Sequence, residues 1–116
     1  MLISISKIFH LKYLPAPISK DQEGSRLYDG RVERAGRFVV GGLNFKFGVG
    51  LTYSTSYSKE GELGVKTLDI PLFKCSNGIC FSKNGRHMFH TDSFTYKINV
   101  FRYNSDGKVR EPWLFK

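Results

Sequence analysis

The chain has 116 residues, of which 41% are hydrophobic and 15% aromatic, enough apolar surface to offset the entropy of ordering the backbone and to exclude a disordered chain. That length is one domain, residues 1–116, and no run approaches the roughly twenty apolar residues of a membrane-spanning helix. Eighteen Lys and Arg against ten Asp and Glu give a formal charge of +8, which favours a polyanionic partner.

Met1 to Leu14 alternates Ile3, Ile5, Phe9, Leu11 and Tyr13 with polar residues and is closed by Pro15-Ala16-Pro17, the pattern of a first strand. Ser4, Ser6, Lys7, His10 and Lys12 interrupt it and Arg is absent, which argues against a secretory or mitochondrial leader and makes a cytoplasmic location the expectation. Ile18 to Gly36 is polar and reads as a loop with one helical turn around Tyr28 to Arg34.

From Leu43 to Tyr57 every odd position is bulky (Leu43, Phe45, Phe47, Val49, Leu51, Tyr53, Thr55, Tyr57) and every even one small or polar, so an extended backbone carries one apolar wall. Arg37 to Tyr57 is therefore predicted as one long strand, bent at Gly41-Gly42 and at the Gly48/Gly50 pair. Ser58-Lys59-Glu60-Gly61 turns it into a return strand over Glu62 to Lys74, whose apolar positions change parity near Thr67, the mark of a bulge.

Asn77-Gly78 and Lys83-Asn84-Gly85 both read as hairpin turns. Phe94 to Tyr103 alternates again, and Asn104-Ser105-Asp106-Gly107 leads into a last strand through Phe115. These elements predict an all-β domain: a single antiparallel sheet of about six strands, one of them long and bent, curled into a small barrel or folded into a sandwich. The predicted core is Ile3, Ile5, Leu43, Phe45, Phe47, Val49, Leu51, Val65, Ile70, Phe94, Tyr96, Ile98 and Val100, and no internal repeat is apparent.

Cys75 and Cys80 flank the Asn-Gly pair, so they are read as a cross-hairpin disulfide or as two free thiols. With His87 and His90 they spell Cys-x4-Cys-x6-His-x2-His, four soft ligands whose spacing does not match the common zinc finger; no metal and no cofactor are expected. No Ser-centred elbow, phosphate-cradling glycine loop or His-Glu-x-x-His pattern is present.

The functional expectation is a non-enzymatic polyanion-binding module, with nucleic acid as partner. Arg86, Lys97, Arg102, Lys108 and Arg110 would contact phosphates, and Phe101 and Tyr103 would stack bases. Two alternatives stand beside it. One is a small metal-independent nuclease using Arg86, His87, His90, Asp92 and Lys97. The other is an oligomer that inserts the hairpin built on Leu43 to Tyr57 into a membrane.

Overall fold

The computed structural model describes the backbone of residues 2–5, 11–14, 24–44, 46 and 48–115 and the side chains of 24–44, 46 and 48–110. Strands β1 (Leu2–Ile5) and β2 (Leu11–Leu14) form an antiparallel pair. Two four-stranded antiparallel sheets follow in succession. The first holds β3 (Ser25–Val32), β4 (Phe38–Asn44), β5 (Thr52–Tyr57) and β6 (Leu63–Thr67), and the second β7 (Ser76–Phe81), β8 (His87–Asp92), β9 (Lys97–Tyr103) and β10 (Val109–Phe115). Among the described residues there is no helix. The all-β class is as expected, but the single sheet is not: two open meanders lie side by side, and neither closes into a barrel.

One local device builds both sheets. In the turns joining β3 to β4, β5 to β6, β7 to β8 and β9 to β10, the N–H of Gly36, Gly61, Gly85 and Gly107 donates to the carbonyl three residues back, that of Glu33, Ser58, Ser82 or Asn104, at 2.8–3.0 Å. Each of these glycines has φ between 71° and 87°, a left-handed conformation in which a side chain is unfavourable, and the turn's twist matches that of the flanking strands. The turns predicted at Ser58 to Gly61, Lys83 to Gly85 and Asn104 to Gly107 are therefore present. The expected loop over residues 18–36 instead contains β3 and the first of these turns.

The long bent strand is two strands. β4 and β5 run antiparallel with Val39 opposite Ser54, Val40 opposite Tyr53 and Gly41 opposite Thr52. Gly42 in β4 and Gly50 in the connection serve close approach of the chain to itself: a Cβ on Gly42 would lie 2.9 Å from the Leu51 carbonyl oxygen, and one on Gly50 would lie 2.4 Å from that of Gly42. Period-two alternation continues through such a connection, which is why the sequence pattern alone did not reveal it. The parity change near Thr67 marks the end of β6, after which the chain crosses to the second sheet and Phe73 forms an isolated bridge to Gly50.

The core lies between the sheets and is formed by Val39, Leu68, Phe73, Ile79, Met88, Phe101 and Tyr103, with Ile70, Phe81 and Val109 packed against it. Of the predicted core, Leu43 and Val100 are buried, Val49, Leu51, Val65 and Ile70 are half-buried, and Phe94, Tyr96 and Ile98 are exposed. The side chains of Ile3, Ile5, Phe45 and Phe47 lie outside the described residues. Phe94 and Tyr96 belong to a turn over residues 93–96, which sets Lys97 opposite Asp92 and hence Phe101 opposite the buried Met88. The odd face of β9 thus carries Phe101 and Tyr103 into the core, against expectation, while Val100 on the even face is buried as expected.

Candidate functional site

The first strand of each sheet lies at that sheet's end, and β3 and β7 pack against one another. Both strands lose register at a matching place: β3 between Leu27 and Gly30, where Tyr28 and Asp29 together stand against Gly41, and β7 between Ser76 and Ile79, where Asn77 and Gly78 together stand against Thr91, one extra residue in each strand. Bulges re-aim side chains and are concentrated beside active sites. Asn77-Gly78 is therefore a strand bulge rather than a hairpin, with Gly78 at φ 85°. The Gly78 N–H donates to Asp29 Oδ2 at 2.6 Å, which ties the two bulges together across the sheets. Tyr28 and Asn77 are exposed and Asp29 is half-buried, so the two joined bulges carry a phenol, a carboxylate and a carboxamide within reach of solvent.

Behind this edge a polar cluster is sealed between the sheets. His90 Nε2 lies 3.0 Å from Ser76 Oγ and 3.3 Å from Thr52 Oγ1, its ring stacks on Phe73 at 3.8 Å, and Nδ1 makes no well-formed hydrogen bond. A hydroxyl beside an imidazole is the pairing of a nucleophile and its base. Here both residues are fully buried, and the Gly41 backbone presses so closely on Ser76 that a Cβ there would fall 1.5 Å from its Oγ. The pair, with Thr52 from the first sheet, is a structural joint between the sheets.

Burial pushes the His90 imidazole down to about 4, against the opposing pull of the Asp92 and Asp29 charges. The unfolded chain takes up this proton near pH 6.5 and the folded chain only near pH 4, so the contribution is intact above 6.5 and is lost as the pH falls between those values. Urea denaturation at about pH 7.5 and about pH 4.5 should show stability falling by roughly 2–3 kcal/mol through this group. The corresponding loss should be absent in His90→Gln.

Asp92 clamps the end of the second sheet nearest the β7 bulge. It is 4% exposed, and its carboxylate accepts N–H bonds from Lys74 at 2.9 Å, Cys75 at 3.1 Å and Phe94 at 3.2 Å, and another from the Thr95 backbone. Burial disfavours the charge, but these backbone donors outweigh it and hold the carboxyl below its usual range. The crossing that enters β7 and the turn over residues 93–96 are thereby fixed to one side chain.

The residues expected to bind nucleic acid do not make one surface. Phe101 is 1% and Tyr103 3% exposed, both in or against the inter-sheet core, so neither ring is available to a base. Lys97 opens β9, whereas Arg102 is near its end. Arg86, Arg102 and Tyr103 do line a groove of about 930 Å³ among the glycine turns, but they share it with Glu33 and Asp106. Lys108 meets Asp106 at 4.0 Å, and Arg110 lies on β10 opposite Arg102.

The nuclease alternative separates as well, since His90 and Asp92 are buried inside the second sheet while Arg86 and Lys97 are exposed. The membrane-inserting hairpin is also corrected: Leu43 and Tyr53 are buried within the packed protein. Cys75 and Cys80 are both free, the first buried and the second exposed. Among the described residues no group of three or more His, Cys, Asp or Glu side chains converges, so the Cys75, Cys80, His87 and His90 set is not assembled. Asp29 and Asn77 were missed in the sequence because the link between their bulges depends on the packing of two strands far apart in the chain.

Two successive four-stranded meanders, packed through their first strands, define adjoining blades of a protein of the β-propeller type. The chain belongs to the SMP-30/gluconolactonase/LRE-like family, whose model matches residues 4–115. Its fold resembles a luciferin-regenerating enzyme at 18% identity and a TM-score of 0.66, over 79% of this chain and 31% of that one. A protein from Lactobacillus plantarum is similar at 18% identity and a TM-score of 0.66, over 98% of this chain and 35% of that one. The chain spans about a third of the length of these structures. No curated protein matches it. Family and fold together overturn the nucleic-acid expectation.

Proposed function

We propose that the edge shared by β3 and β7 is the working face of a propeller-type hydrolase and that its substrate is a cyclic ester of the lactone class. The observation that carries this reading is the pair of matching bulges, tied by the Asp29 to Gly78 hydrogen bond, which places Asp29 and Asn77 on adjoining first strands. First strands of propeller blades face the central channel, where blades of one ring converge. Membership of a family that includes gluconolactonase supports the substrate class.

Opening a lactone needs a base for the attacking water and a donor for the oxyanion that develops on the carbonyl oxygen. In this reading the water oxygen bonds to the carbonyl carbon as its proton passes to the Asp29 carboxylate. The Asn77 carboxamide donates to the oxyanion. As the ring C–O bond breaks, the leaving oxygen takes the proton back from Asp29, giving the open hydroxy acid.

The test is the hydrolysis of glucono-δ-lactone by the 116-residue chain, measured above the spontaneous rate. Asp29→Asn and Asn77→Ala should each lower kcat by about 10²-fold with the thermal midpoint little changed. A rate equal to the spontaneous one, or two variants with full activity, sinks the reading.

A further inference from the structure

The turn over residues 93–96 is an unusual use of aromatic residues. Phe94 is 64% and Tyr96 92% exposed, and Tyr96 is the one non-glycine residue with positive φ, at 55°, among those described. A bulky aromatic in the left-handed region is a backbone outlier that persists only when its surroundings impose it. Asp92 imposes it here, through its bonds to the Phe94 and Thr95 backbone. The same carboxylate receives the Lys74 and Cys75 N–H groups, and the Ser93 N–H donates to the Cys75 carbonyl at 3.1 Å. The crossing before β7 is thereby held beside the turn. That crossing carries Leu72, 53% exposed, and the exposed Lys74, while Ile98 at 43% and the exposed Lys97 follow the turn.

Four exposed apolar side chains, Leu72, Phe94, Tyr96 and Ile98, are thus flanked by two lysines at one end of the second sheet, with Asp69 the crossing's own carboxylate. Large apolar side chains exposed on segments held side by side mark an interaction surface. Its form selects the partner. The rings stand out from a turn rather than lining a groove, so a folded protein would need a complementary pocket, whereas a bilayer deforms around them. Tyr and Phe suit the interfacial zone, which accepts an apolar ring beside polar headgroups, and lysine stems reach from that zone to phosphate.

We infer that this end of the second sheet docks on the interfacial zone of an anionic phospholipid bilayer, Phe94 and Tyr96 entering it and Lys74 and Lys97 meeting the headgroups. No strand crosses the bilayer in this arrangement, and the β3/β7 edge is not required for it.

Co-sedimentation of the chain with phosphatidylcholine vesicles, with and without phosphatidylserine, tests the inference. The chain should partition onto the phosphatidylserine vesicles. Phe94→Ser with Tyr96→Ser should weaken partitioning at least about tenfold, and Lys74→Glu with Lys97→Glu should remove the preference for the anionic vesicles. Tyr96→Asn is the folding control: Asn tolerates positive φ, so this variant should melt no lower than wild type while still binding more weakly. Absence of partitioning, or aromatic variants that sediment like wild type, overturns the inference.

Discussion

Gly41→Ala should destabilise the protein by about 3 kcal/mol or more, an effect well above that of an ordinary glycine replacement in a strand. The added Cβ would sit 1.5 Å from Ser76 Oγ and 2.2 Å from Ser76 Cβ, and neither atom can yield, because Ser76 is fully buried and hydrogen-bonded to His90. Overlap of this kind is relieved only by moving β4 away from β7, which opens the contact between the sheets. Urea denaturation measures the loss. Ser76→Gly in the Gly41→Ala background should restore much of the stability by emptying the contested volume, a coupling that a double-mutant cycle reads directly. Additive effects of the two changes would show that the contact is not what limits this position.

Asp92→Ala is the second large effect, expected at about 3–5 kcal/mol, because several backbone N–H groups lose one shared acceptor. The groups at Lys74, Cys75 and Phe94 belong to segments that touch through this carboxylate, so the loss should be cooperative. Amide hydrogen exchange should quicken at all three together. Asp92→Asn keeps one oxygen acceptor and should cost about half as much. The wild-type carboxyl titrates below its usual range, so its contribution is complete above the ordinary aspartate value and is lost as the pH falls through the lower, folded value. The His90 transition lies higher in pH, and the two are separable.

Much of the local architecture was legible. Gly61, Gly85 and Gly107 each end a turn in which an aromatic residue precedes Ser or Asn: Tyr57-Ser58, Phe81-Ser82 and Tyr103-Asn104. With Gly36, these glycines recur every 22 to 25 residues, an interval of two strands and two connections. That recurrence is an internal repeat carried by the turns rather than by the strands, and it is the sequence signal for a propeller-type chain. It is weak because a turn constrains only the glycine and its hydrogen-bonding neighbours, leaving the intervening strands free to vary.

The sheet partition was not legible. Asn77-Gly78 has the composition of a hairpin, yet it is a bulge because the Asp29 carboxylate, 49 residues earlier, accepts the Gly78 N–H. Gly41, Gly42 and Gly50 look like bends within a strand, yet they are spaces for Ser76 and for neighbouring backbone. Phe94, Tyr96 and Ile98 continue an apolar alternation, but the four-residue turn fixed by Asp92 reverses the face on which β9 presents its rings to the core.

The sequence by itself determined the all-β class and three of the four glycine turns, because alternation and positive-φ glycines act over a few residues and carry their reasons locally. The tertiary structure alone decided that there are two sheets, that Phe101 and Tyr103 are interior, and that the bulge carrying Asp29 is tied to the bulge carrying Asn77. Each of those outcomes depends on contacts between strands far apart in the chain, where the geometry of one strand selects among conformations that the other permits equally.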